Sequence, residues 1–146
     1  MTIEYTPAGI LLQALIAGAV IKVPNETPVW SGYVKFMPTD DEHTVTFYDT
    51  EPEIAGRVIA TGETVRRWGV MARSRCGRDA YNLGWGKLRK IENYLTNGRN
   101  RAVSFPDARF VLHSVSVVSG PMFVGEEPET KRCLFSLNLL ASIRAA

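Results

Sequence analysis

The chain has 146 residues, 45% of them hydrophobic and 22% charged, the balance of one globular domain, which excludes a disordered or fibrous chain. At this length folding buries roughly two-thirds of the surface that the unfolded chain exposes, so neither a disulfide nor a metal is needed to hold the core. The formal net charge of +2 conceals a split: residues 1–56 hold two lysines against eight acids, residues 57–109 hold twelve bases against four acids, and the remainder balances. Such asymmetry fits either a nucleic-acid surface or a chain whose acidic part docks on the basic part of a second copy.

The longest apolar run, Ala8 to Val23, is interrupted by Gln13 and Lys22 before it reaches the roughly 20 residues of a membrane span. Thr6 as a hydroxyl cap and Pro7 at the first helical position predict a helix that runs to Val20 and stops before Pro24. No Lys or Arg precedes Lys22, so a secretory signal is not expected. Alternation then predicts a strand over Pro28–Met37, with Trp30, Val34 and Phe36 on one face and Ser31, Tyr33 and Lys35 on the other. After the turn Pro38–Asp41, Thr44–Tyr48 reads as a second strand, antiparallel to the first. Residues 49–64 contain Pro52, Gly56 and Gly62 and read as a long loop with a short strand at Arg57–Ala60. From Arg66 to Cys76 the alternation returns and places Trp68, Val70, Ala72 and Ser74 opposite a basic face of Arg67, Met71, Arg73 and Arg75.

Gly77 and Asp79 open a second helix with the stripe Tyr81, Gly84, Leu88, Ile91 and Leu95, closed by Gly98. Gly84 and Gly86 inside it cost about 1 kcal/mol each relative to alanine, which points to a close approach of another backbone or the sheet. Phe110–Val118 is rich in β-formers, residues 119–131 form a punctuated acidic loop, and the alternation of Cys133 through Ile143 gives a last strand. The expected fold is therefore one α+β domain over 1–146, with a mainly antiparallel five-stranded sheet and two helices packed on one face, in the order helix-strand-strand-strand-helix-strand-strand.

Sequence signals for chemistry are sparse. Phosphate-binding, zinc-protease and nucleophile-elbow motifs are missing. The acidic turn Asp40–His43 has metal-ligand types, but adjacent residues seldom converge on one ion, and two cysteines, Cys76 and Cys133, cannot close a four-ligand zinc site. No metal or cofactor is expected, and His113 reads as a satisfied strand histidine. A nucleophilic Cys76 or Cys133 would need a histidine and a carboxylate in space. Arg67, Arg73, Arg75 and Arg78 could meet phosphates, yet the aromatics of a single-strand binder and a helix-turn-helix pair are both lacking. These arginines, with Asp49, Glu51 and Glu53 as opposite charges, are candidates for self-association instead.

The strand-to-helix segment MARSRCGRDAYNLGWGKLRKIENYL and the late segment SVSVVSGPMFVGEEPETKRCLFSLNLLASI together resemble the minor capsid or tail-terminator family of tailed bacteriophages. The positions that carry the likeness are Arg75, Ala80, Tyr81, Gly120, Pro121, Gly125, Glu126, Glu127, Arg132, Phe135, Ser136 and Asn138. The resemblance implies a non-enzymatic virion protein, made in the host cytoplasm, that assembles as a six-fold ring at the head-tail interface. Its implied partners are itself, the tail tube protein and the head-tail connector or stopper, with genomic DNA passing through the lumen without sequence-specific binding and no membrane contact. Asp40, Asp41, Glu126 and Glu127 become candidate contact loops for tail or connector, and Arg73 and Arg75 are expected to be reversible in charge without unfolding the monomer. Another neck component, a stopper or adaptor, is the alternative, followed by a small nucleic-acid-binding module using residues 57–109.

Overall fold

The computed structural model describes residues 5–57 and 64–146, with backbone alone for 54–57, 64 and 65. Helix α1 spans Pro7–Ala17 and helix α2 spans Tyr81–Asn97, and six strands follow the order β1 (Ser31–Val34), β2 (Thr44–Arg57), β3 (Thr64–Cys76), β4 (Arg101–Ser104), β5 (Arg109–Glu126) and β6 (Cys133–Ala145). They form one mixed sheet in the order β1-β2-β3-β6-β5-β4, so the α+β class stands and the strand count rises from five to six.

Both helices cover the face that β6 presents through Phe135, Leu137, Leu139, Ala141 and Ile143, and they share one core with Val45, Phe47, Val70 and Ala72. Thr6 caps α1 by accepting from the Gly9 amide at 3.3 Å. The helix ends at Ala17, not Val20, because Ala19 turns left-handed with φ 57° and Gly18 lies under the Tyr94 ring, where no Cβ would fit. In α2 the expected stripe is buried at Gly84, Leu88, Ile91 and Leu95, with Lys87 beside it, whereas Tyr81 is half exposed.

β1 and β2 pair in parallel, Ser31 opposite Thr44 and Val34 opposite Phe47, which corrects the expected antiparallel pair. Lys35 at φ 78° ends β1 early, and residues 35–43 carry the chain back along the strand so that β2 starts level with β1. The same kink removes Phe36 from the strand face shared with Trp30, leaving it 59% exposed while Trp30 is buried. Most of the expected loop 49–64 is strand, since β2 runs to Arg57 and β3 begins at Thr64; the reading of 58–63, including the end of the short strand, lies outside the described residues. Pairing of β3 with β6 stops at Trp68, so Glu53–Arg57 and Thr64–Arg67 continue as a two-stranded arm. The expected acidic loop 119–131 is likewise shorter, because β5 continues to Glu126 in pairing with β6.

Gly84 and Gly86 separate cleanly. A Cβ on Gly84 would stand 2.7 Å from Cys76 Sγ and 2.9 Å from the Phe135 ring, whereas a Cβ on Gly86 would meet nothing within 4 Å. Overpacking costs about 1–3 kcal/mol and exceeds the helix gain of about 1 kcal/mol at the first position only. Gly84→Ala is therefore expected to lower the thermal midpoint and Gly86→Ala to raise it; the reverse order in a melting experiment would contradict this packing.

Candidate functional site

The strand register brings one end of β2, β3, β6 and β5 level at Thr44, Arg75, Leu134 and Gly125. The connections 35–43 and 127–132 close this end, and Arg75 stands between them. Its side chain is only 1% exposed. One terminal nitrogen donates to the carbonyl oxygens of both Pro38 and Asp41, and the other meets Glu127 Oε2 at 3.4 Å. Arg132 completes the cluster, with Nε 2.6 Å from Glu127 Oε1 and a bond of 3.0 Å to the Thr39 carbonyl. The Tyr33 hydroxyl donates to the Asp41 carboxylate. Two guanidinium groups thus hold three backbone carbonyls of the 35–43 connection, those of Pro38, Thr39 and Asp41, a role that suits the rigid fork of arginine and not the point charge of lysine.

The charges respond accordingly. Burial, then the neighbouring Arg132, lowers the Arg75 pKa, yet a guanidinium remains charged at any ordinary pH. Burial acts to raise the Glu127 carboxyl, but hydrogen bonds from Thr130 and Arg132 and the charge of Arg75 outweigh it, and the pKa falls below the usual glutamate value. Burial pushes the Cys76 thiol up to about 11, so it is protonated and a poor nucleophile at neutral pH. Cys133 lies directly opposite it across β3 and β6, and both are free thiols. The His43 ring packs edge-on against Trp30 at 5.3 Å. Among the described residues no three His, Cys, Asp or Glu side chains gather at a metal-binding distance, and no helix is long and apolar enough to cross a membrane. Arg144 donates to His113 Nε2 at 3.0 Å, which leaves Nδ1 as the donor to Asn100 at 2.7 Å.

The residues singled out in the sequence divide between the two ends. Asp41, through its carbonyl, and Glu127, through its carboxylate, meet Arg75, whereas their sequence neighbours Asp40 and Glu126 are exposed at the same end of the sheet. Arg67, Glu51 and Glu53 are exposed on or beside the arm at the other end. Asp49 is tied to the N-terminus of α1, accepting from the Ala8 amide at 2.9 Å, where a carboxylate is favoured by the helix dipole. Arg78 is exposed in the turn before α2, and Arg73 is half-buried on the sheet face away from the helices. Arg75 is not a surface cation at all, so reversing its charge would unfold the monomer; its partners are backbone carbonyls, which residue identities do not reveal. Sequence reading also missed Lys87, 3% exposed, whose Nζ lies 2.8 Å from Glu26 Oε1. A lysine adjoining the buried stripe was the available signal.

Among the described residues, β2 and β5 have no strand partner beyond the short β1 and β4 on their outer sides, and both edges are blunted. Along β2 stand Pro52, three carboxylates and two register shifts, and along β5 stand Pro121 and four register shifts. Bulges, proline and charge discourage edge-to-edge pairing. Neither the known protein-family models nor the curated proteins contain a match to this chain.

Arg75→Met is expected to cost about 3 kcal/mol in urea denaturation, because it removes one of the two charges paired with Glu127 and leaves the Pro38 and Asp41 carbonyls without their donor, and to speed amide exchange in residues 35–43; Arg75→Lys should recover little. Glu127 carries a depressed pKa, so its contribution is complete above the usual glutamate range and is lost as pH falls through the lower folded-state value. The acid limb of stability against pH should therefore be shallower in Glu127→Gln than in the wild type, and identical limbs would contradict the pairing.

Proposed function

We propose that this chain is a structural protein of the tailed-phage neck, a terminator that closes as a ring of about six copies on the end of the tail tube and joins it to the head connector. The observation that carries this reading is the presence of two unlike ends on one stiff sheet. One end is a pair of loops locked by Arg75 and Arg132, with Phe36, Tyr81 and Phe123 exposed in the segments around them. The other is a charged two-stranded arm. A joint between two different structures needs two different ends, and a ring needs unlike patches on the two sides of each copy.

The basic segment supports a nucleic-acid module less well. Arg75 and Lys87 are buried, Arg89 is paired with Glu92 at 2.8 Å, and the Arg101 guanidinium lies 3.8 Å from the Tyr94 ring centroid. A duplex-binding surface needs these cations free to displace counterions. The raised Cys76 thiol likewise gives no support to a thiol enzyme. In the ring, DNA passes a lumen that does not grip it, and the partners are the tail tube and the connector or stopper.

Light scattering over a range of protein concentrations, at low and high salt, with duplex DNA in a parallel titration, tests the reading. A closed species of about six copies without tight DNA binding is expected. A monomer that binds duplex DNA with a steep salt dependence would overturn it in favour of the nucleic-acid module.

A further inference from the structure

Gly86 weakens the middle of α2 by about 1 kcal/mol relative to alanine, and nothing inside this chain requires it, since a Cβ there would meet open space. It lies in a groove of about 240 Å³ between α2 and the segment leading into β1, with Trp30, Leu83, Lys87 and Lys90 around it. Lys87 is fixed by Glu26 and stands 5.9 Å from the Trp30 ring centroid, and Lys90 is exposed with no ion pair among the described residues. Leu83 gives the rim an apolar side chain that is 45% exposed. The groove therefore offers a glycine floor, aromatic and aliphatic walls, a neutralised Lys87–Glu26 pair and the positive charge of Lys90.

The loop pinned by Arg75 is its complement. Its carbonyls at Pro38, Thr39 and Asp41 are held, so the loop is preorganised, and it presents exposed Phe36, Asp40 and Glu42. The two features lie on opposite faces of the sheet. Thr46 alternates with the core residues Val45 and Phe47 and bonds the Phe36 carbonyl at 3.2 Å, which places Phe36 on the face without helices, while the groove belongs to the helix layer. That uncovered face also carries Met71, Leu134 and Leu140, partly buried with no helix above them.

We infer that the acidic Phe36–Glu42 loop of one copy docks into the Gly86 groove of the next, stacking the bare sheet face of one subunit on the helix layer of its neighbour. Charge complementarity between Asp40 and Glu42 on one side and the exposed Lys90 on the other selects the orientation, Lys87 being already neutralised by Glu26, and the contact is head-to-tail because its halves are different surfaces. The inference rests on the ring reading, and a front-to-back contact of this kind closes a ring when its rotation closes.

Gly86→Leu and Asp40→Lys/Glu42→Lys, compared with the wild type by sedimentation velocity and thermal melting, test it. Gly86→Leu fills the groove and should keep or raise the melting midpoint while weakening self-association by about tenfold or more, equivalent to about 1.4 kcal/mol. The double charge reversal should weaken association to a similar degree with the fold intact. If the wild type forms a ring and Gly86→Leu forms it equally well, the groove contact is wrong and the ring reading survives. A two-fold dimer would overturn both, because a front-to-back contact between opposite faces cannot be two-fold symmetric. A wild type that stays monomeric at all concentrations would overturn both.

Discussion

A single buried guanidinium organises one end of this molecule. Arg75 is the penultimate residue of β3, with its side chain turned away from the helices, and it would be an expensive buried charge without compensation. Glu127 supplies the charge and accepts from one terminal nitrogen, and the carbonyls of Pro38 and Asp41 accept from the other, while Nε has no partner among the described residues. Those acceptors belong to the connection that returns the chain from β1 to β2, so the parallel pairing at that sheet edge and the burial of Arg75 require each other. The same carboxylate engages Arg132, which extends the constraint to the turn between β5 and β6. Two connections far apart in sequence thereby become one rigid surface.

The charge split acquires a different meaning in this light. Lys87 meets Glu26 and Arg75 meets the 38–41 loop within one chain, so part of the acid-to-base docking expected between copies is spent internally. What remains outside is smaller and more directional: Asp40 and Glu42 on a fixed loop, Lys90 at a groove, and mixed charges on the arm. Weak surface pairs alone contribute little to association, whereas charges flanking an aromatic residue and a shaped groove can orient a contact. Blunted edges on β2 and β5 fit the same picture, since they discourage the open-ended sheet pairing that leads to aggregation.

Regular elements with uninterrupted periodicity were legible in the sequence. The alternation from Cys133 to Ile143 maps onto β6 with its apolar side buried throughout, and the stripe of α2 was correct from Gly84 to Leu95. Irregular elements were not. Pro52, Gly56 and two register shifts erase the period of β2 beyond Tyr48, so an arm reads as a loop; β4 has four residues and too few alternations to register. A connection of the length of 35–43 is compatible with either strand direction, and the left-handed Lys35 that decides the matter has no sequence signature. Arg75 was misread for a related reason: an arginine on a strand looks like a surface cation until the carbonyls that receive it are located. The expectation for Gly84 held, and Gly86, unexplained by internal packing, pointed to the groove.

The central claim is that two unlike faces of one chain assemble head-to-tail into a closed ring. Cryo-electron microscopy class averages of the purified assembly, viewed along its axis, test this most directly. The expected result is a closed ring of about six subunits, each presenting its helix layer to the sheet face of the next. Open filaments, two-fold dimers or single subunits in every class would contradict it.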